Sequence, residues 1–383
     1  IAVENPRHVQ GLLDNGDGVL ITPNHCDRAD GLVMFEAARW VGRPFCYMAA
    51  HQIFEGDFGL RYFLFPRVGI FPVDREGTGL AALRAASDVL TQAQHPLVVF
   101  PEGEVYYLSD KITPLRDGVA AMALTALKKL DNDQRTIWLV PTAVKYRFQD
   151  GFDPLPAFQE TMSRLEQRFH WWPSNDLSML ERIYRYARGI LAVKEIEYLG
   201  TPQSGTVPER LANLRLGVLK LLEQRRFGKT KPDETVPLRV KELRRACLEQ
   251  LARPDNPQSL TDELQRELHD LFFVVQTYSY PGDYVRQAPT AERIFETLVK
   301  YEQDVVGTQE VVPPGPRRAV VRFGEPINVR ALVGPQPKSR MAIPQLTREL
   351  EQRIQAELDA LGIGPLLLES PESDPSRRLA PSL

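Results

Sequence analysis

Four short apolar runs punctuate residues 1–150, and each closes on proline, glycine or charge. Gly18–Thr22 stops at Pro23, Val68–Val73 runs into Asp74 and Arg75, Pro96–Phe100 into Pro101-Glu102-Gly103, and Thr136–Val140 into Pro141 and Thr142. Their lengths and β-branched content predict strands. Between them the apolar spacing turns helical, over Leu32–Val41, Leu80–Ala93 and Thr113–Leu130. Strands alternating with helices predict an α/β fold with a mostly parallel central sheet flanked by helices.

Beyond residue 150 the pattern changes. Residues 151–316 read as a mainly helical insertion, with helices predicted at Leu177–Val193, Glu209–Phe227, Leu238–Ala252, Thr261–Tyr278 and Ala291–Asp304. Clusters of Pro, Gly, Asp and Asn separate them. No internal repeat is read. Residues 317–362 return a strand, Val320–Val329, and a helix that complete the core, and the Pro- and Ser-rich residues 363–383 are expected to be disordered.

The strand ends carry the chemistry. Ligands on parallel sheets bind outside the carboxyl ends of strands, so His25, Asp30, Arg75, Glu102 and Gly103 are expected to share one crevice. His25 and Asp30 are five residues apart, which a helix would place roughly 140° apart. They meet only if His25 lies in a loop and Asp30 in the first helical turn, which the sequence after Pro23 allows. An imidazole held by a carboxylate is the minimal general-base unit. A loop histidine beside a helix-capping carboxylate is the plainer reading of that pair alone.

Taken in order, four blocks resemble the glycerolipid acyltransferase family, lysophosphatidate acyltransferase-like: Asn24 to Asp30 (Asn-His-x4-Asp), Gly69 to Arg75, Phe100 to Gly103 (Phe-Pro-Glu-Gly) and Val140-Pro141. Arg322 to Val329 resembles a late strand of the same family, so the likeness covers about residues 10–150 and 317–362. It implies transfer of a fatty acyl group from a thioester, acyl-CoA or acyl carrier protein, to the hydroxyl of a glycerolipid, most directly lysophosphatidate. His25 is then the general base oriented by Asp30. Arg75, Glu102, Gly103 and Arg116 hold the acceptor and its phosphate, and Asn24, Phe100, Pro101 and Pro141 line the acyl site. No cofactor and no metal is required, since the thioester is already activated.

One departure matters. Relatives often place Thr and a basic or hydroxyl residue after Phe-Pro-Glu-Gly, whereas this chain has Glu104-Val105. A second carboxylate there repels phosphate unless it turns away or pairs with a cation, for which Arg116 is the candidate. A non-phosphate acceptor, a CoA-independent transacylase and a lipid-binding scaffold therefore stand as alternatives. Cys26, beside His25, raises a further one, an acyl-cysteine intermediate.

Composition narrows the class. The 383 residues are 43% hydrophobic and 25% charged with net charge −3, which fits a globular protein and gives no support to nucleic-acid binding. Three cysteines do not make a disulfide framework, and the histidines show no zinc spacing with them. Phe227-Gly-Lys-Thr230 lacks the first glycine of a phosphate loop, and no Gly-x-Ser-x-Gly elbow occurs.

A membrane surface is an expected partner. No run of about 18 apolar residues is present. Attachment is therefore expected to be peripheral or monotopic at the cytoplasmic face, and the start at Ile1 leaves room for an upstream anchor. Two features fit attachment. The basic amphipathic stretch Glu209–Lys231 suits an anionic surface, or else a helix packed on its neighbours. Phe169, Trp171 and Trp172 suit an interfacial anchor, or else an internal plug.

Overall fold

The computed structural model describes residues 1–50, 54, 63–73, 80–130, 134–172, 174, 176–334 and 339–367. The chain divides into two units: Ile1–Phe152 with Gly315–Gly364, and Asp153–Pro314 with the residues from Pro365.

The first unit is an α/β fold around one sheet. Its strands are β1 (Ala2–Glu4), β2 (Gly18–Pro23), β3 (Cys46–Ala50), β4 (Ile70–Val73), β5 (Leu97–Val98), β6 (Ile137–Phe148), β7 (Arg317–Phe323) and β8 (Ile327–Asn328). The order is β1-β7-β6-β2-β5-β3-β4, with β8 also on β6. From β6 to β4 all neighbours are parallel, while β7 and β8 run antiparallel to β6. β2 is buried along its whole length, as expected for a central parallel strand covered on both faces.

Alternation assigns the faces. Val19, Ile21, Val98, Val140 and Val144 pack with the helices α1 (Arg7–Asp14) and α2 (Asp30–Val41). Leu20, Leu97, Leu139 and Ala143 point the other way, against α3 (Leu80–Gln92), α4 (Gly118–Lys129) and the late helix Ser339–Ala360.

Several expected bounds shift for local reasons. The helix expected from Thr113 begins at Gly118, because residues 113–117 form a loop that grips the segment after β5. The single late strand is two, split at Gly324, whose N–H donates to the Pro141 carbonyl. A side chain at Gly324 would run into Glu357.

The second unit contains α5 (Leu155–Arg168), α6 (Met179–Leu199), α7 (Val207–Phe227), α8 (Val236–Leu251), α9 (Gln258–Gln276), α10 (Tyr284–Gln287) and α11 (Ala291–Lys300), which runs on into a π-helical turn, Tyr301–Val306. Its first helices reuse one device. A glutamate near the end of one helix receives a forked ion pair from an arginine in the first turns of the next: Glu166 from Arg182, Glu195 from Arg210, Glu223 from Arg239. The sequence separations are 16, 15 and 16. Each arginine-bearing helix starts behind a hydroxyl residue, Ser178, Thr206 or Thr235.

The same packing absorbs the basic stretch of α7. Arg210, Arg215, Arg225, Arg226 and Lys231 are engaged by Glu195, Thr277, Glu267 and Glu242, while Leu214, Val218 and Leu222 enter the unit's core. α7 thus packs on its neighbours through this face, while Lys220, Leu216 and Leu221 stay exposed. Trp171 and Phe169 stack around Tyr186, so they plug the unit, whereas Trp172 is exposed. The tail expected to be disordered from residue 363 is described only as far as Leu367. Leu366 bridges to Thr290, and the Leu367 N–H donates to the Pro289 carbonyl. The remainder of that tail lies outside the described residues.

Candidate active site

The site is built where β2 and β5, adjacent and parallel, release the chain at their carboxyl ends. After Pro23 the Asn24 side chain takes the place of a further backbone pair. Its amide donates to the Val144 carbonyl (3.0 Å) and accepts from the Val144 N–H (2.7 Å). That clamp sets the direction of the loop that carries His25. Asn24 was expected to line the acyl site. Its side chain is fully buried in the sheet instead, so its role is to fix the loop.

Asp30 is the first residue of α2 and is completely buried. Its Oδ2 accepts from His25 Nδ1 (2.9 Å), from the Cys26 N–H (2.7 Å) and from the Asp27 N–H (2.9 Å). Its Oδ1 accepts from the Tyr146 hydroxyl (2.8 Å). A carboxylate with this many donors tolerates burial as an anion. Because Asp30 accepts the hydrogen bond from Nδ1–H, Nε2 is the basic nitrogen of the neutral ring. The imidazole is 15% exposed and stacks on Phe100, centroids 4.1 Å apart.

His25 looks onto a cavity of about 750 Å³. Its walls are largely apolar: Leu32 and Phe35 from α2, Tyr47 and Met48 from β3, Val119 and Met122 from α4, together with Phe100 and Pro101. Arg28, Arg116 and Gly103 add a polar end. Gly103 has φ +78°, and a Cβ there would lie 2.4 Å from Arg116 Nε, so backbone conformation and close approach both call for glycine.

Two expected roles change. Glu102 was placed at the acceptor site, but its carboxylate faces inward. One oxygen accepts from the His25 N–H (2.7 Å), and the other from the Thr113 N–H (3.0 Å) and hydroxyl. It braces the loop of His25 against the 113–117 loop. Burial pushes its pKa up to about 7, against the lowering effect of those hydrogen bonds. Pro141 was expected on the acyl side. It is paired in mid-sheet with Thr22 and accepts from the Gly324 N–H, and among the described residues it does not line the cavity.

Arg116 lies 3.7 Å from Glu104, so the extra carboxylate is paired with a cation. Cys26 turns its thiol to the Val144 carbonyl (3.4 Å), into the sheet, which removes the geometry an acyl-cysteine would need. Arg75 falls outside the described residues. Among the described residues no three His, Cys, Asp or Glu are placed to hold a metal ion.

Residues 1–145 match the model of the Acyltransferase family. That stretch includes His25, Asp30, Phe100 to Gly103, Pro141 and the cavity, and it supports acyl transfer as the general activity. No curated protein matches the chain.

Sequence reasoning missed several parts of this site. Tyr146 lies on β6, far in sequence from Asp30. Arg317, the first residue of β7, pairs with Asp27 Oδ2 (2.9 Å) and covers the Tyr146 ring at 4.8 Å. The only signal was position: both sit beside the loop once β6 and β7 pair, with Phe148 opposite Arg317 and Tyr146 opposite Ala319.

Proposed function

We propose that the protein transfers a fatty acyl group from acyl-CoA or acyl carrier protein to the free hydroxyl of a glycerolipid, with 1-acylglycerol-3-phosphate (lysophosphatidate) as the favoured acceptor. The observation that carries this reading is the His25–Asp30 pair opening onto an apolar cavity with a cationic end. An acyl chain fits the apolar walls, and an anionic headgroup fits Arg28 and Arg116.

In this mechanism His25 Nε2 removes the acceptor's hydroxyl proton as the oxygen attacks the thioester carbonyl. Asp30 fixes the Nδ1–H tautomer and stabilises the imidazolium. Collapse of the tetrahedral intermediate breaks the C–S bond, and the imidazolium returns its proton to the thiolate. The steps consume one thioester and one alcohol and yield one ester and one thiol. A general base of this kind contributes about 10²–10⁴-fold.

A phosphate acceptor competes with Glu104 for Arg116, since the two side chains already face each other at 3.7 Å. The membrane enters through the substrates, which are amphiphilic. Leu32, Phe35, Phe63, Leu64 and Val68 are large, apolar and exposed, and two of them line the cavity. Such residues suit peripheral contact with a lipid surface at the cytoplasmic face. Among the described residues no helix is long and apolar enough to cross a membrane.

The test is thiol release from long-chain acyl-CoA and acyl carrier protein in the presence of vesicles. Lysophosphatidate, glycerol 3-phosphate, other lysophospholipids and a non-phosphate lipid are the acceptors. Release that needs lysophosphatidate and His25 supports the reading. Ester exchange between phospholipids without any thioester replaces it with a transacylase.

A further inference from the structure

The two oxygens of Asp30 are used unequally. Oδ2 is crowded, with His25 Nδ1 and two loop N–H groups within 2.9 Å. Oδ1 has the Tyr146 hydroxyl at 2.8 Å, and its other contact, Cys26 Sγ, is 3.8 Å away. Take the phenol away and one oxygen of a fully buried carboxylate is left with a thiol at long range. A buried anionic oxygen without a good donor is costly. The carboxylate then relieves the loss by turning, and turning removes Oδ2 from His25.

Tyr146 is itself held. Its ring is buried on β6, the Arg317 guanidinium covers it, and Arg317 reaches on to Asp27 in the same loop as His25. Asp30, Tyr146, Arg317 and Asp27 thus close a ring around the loop. Burial, then the neighbouring Asp30 carboxylate, push the phenol's pKa far above its ordinary value, so it stays a donor.

We propose that Tyr146 is a positioning residue for the dyad: its hydroxyl holds the Asp30 carboxylate in the one rotation that keeps His25 as the Nδ1–H tautomer, and Arg317 keeps Tyr146 in place. The role in turnover rests on the acyl-transfer reading above; the effect on the imidazole does not.

The experiment is ¹⁵N NMR of histidine-labelled full-length protein, with the His25 signals identified by their loss in His25→Ala. At a pH where the ring is neutral, the wild type should show protonated Nδ1 and bare Nε2. Tyr146→Phe, which keeps the ring under Arg317, should bring in the Nε2–H form. Acyl transfer in that variant should show kcat down about 10-fold with both KM values unchanged. In an Asp30→Asn background the same substitution should add nothing. Arg317→Met, which retains the phenol but removes the guanidinium over it, should show a smaller change of the same kind, and it carries the test if Tyr146→Phe fails to fold. A folded Tyr146→Phe with the wild-type tautomer and kcat overturns the proposal, as does lowered stability with neither readout moved. If the tautomer shifts while no thioester is consumed by the wild type, the positioning role stands and the acyl-transfer reading falls.

Discussion

The two units bury carboxylates in different ways. In the helical unit Glu195 and Glu223 each meet a guanidinium in a two-pronged pair, with neither partner more than 9% exposed. Burial raises their pKa, but the arginine hydrogen bonds, a backbone N–H donor and the guanidinium charge together outweigh it, and both end below the ordinary value. In the α/β unit Glu102 has only amide and hydroxyl donors, so burial wins and its pKa rises to about 7. Asp30 is buried too, but its ring partner faces a cavity. A buried ion pair is therefore not a site in itself. What distinguishes His25–Asp30 is a basic nitrogen with room in front of it for a substrate.

His25→Ala tests that distinction most severely. The expected loss is about 10²–10⁴-fold in acyl transfer, with an unchanged thermal midpoint, because the ring lies at the edge of the core. Activity equal to wild type would remove the general base from the mechanism. Glu195→Ala should do the reverse. Breaking a buried pair by removing one partner costs about 3–5 kcal/mol, seen as an earlier urea transition. Replacing both members, Glu195→Leu with Arg210→Leu, should recover much of it. A single variant as stable as wild type would show that the pair is not desolvated as its geometry implies.

Acid and base should separate the units as well. A carboxyl whose folded pKa is raised gives stability that is full below its unfolded pKa and is lost as pH rises through the folded one. For Glu102 that window runs from about 4.5 to about 7. Glu195 and Glu223 are lowered, so their contribution is full above the unfolded pKa and is lost as pH falls through the folded one. Urea titrations across pH should show the Glu102 slope in wild type and its absence in Glu102→Gln. An identical slope in both would reassign that titration to another group.

The sequence made the frame of the first unit legible because its strands end on motifs. Pro23, Pro101 and Pro141 mark where the chain leaves or alters a ladder, and His25 and Asp30 meet as their spacing requires. Orientation was not legible. Asn24, Glu102 and Pro141 sit inside the motifs, yet all three face the sheet or the loops. A motif records proximity to a site, whereas facing is decided by hydrogen bonds such as Asn24 to Val144, 120 residues away. Tyr146 was invisible for the same reason, at a separation of 116. In the helical unit the device that repeats is two charged residues and a hydroxyl cap. Apolar periodicity carries no mark of it, so helices were foreseen and the ion pairs that join them were not.

The smallest expected effect sharpens the comparison at the polar end of the cavity. Glu104 and Arg116 are both partly exposed and stand 3.7 Å apart, unlike the closed pairs of the helical unit. Exposed pairs are weak, typically about 0–1 kcal/mol, so the stability of Glu104→Gln should stay close to wild type. Its effect should appear in binding. With the carboxylate neutralised, a phosphate no longer competes for Arg116, and the KM of a phosphorylated acceptor should fall about 2–5-fold while kcat holds. The KM of a non-phosphate acceptor should not move. If it falls equally, Glu104 shapes the cavity mouth sterically and Arg116 is not where the headgroup is read. If the phosphate acceptor's KM rises instead, Glu104 itself contacts the acceptor, and the departure from Thr after Phe-Pro-Glu-Gly marks a different headgroup.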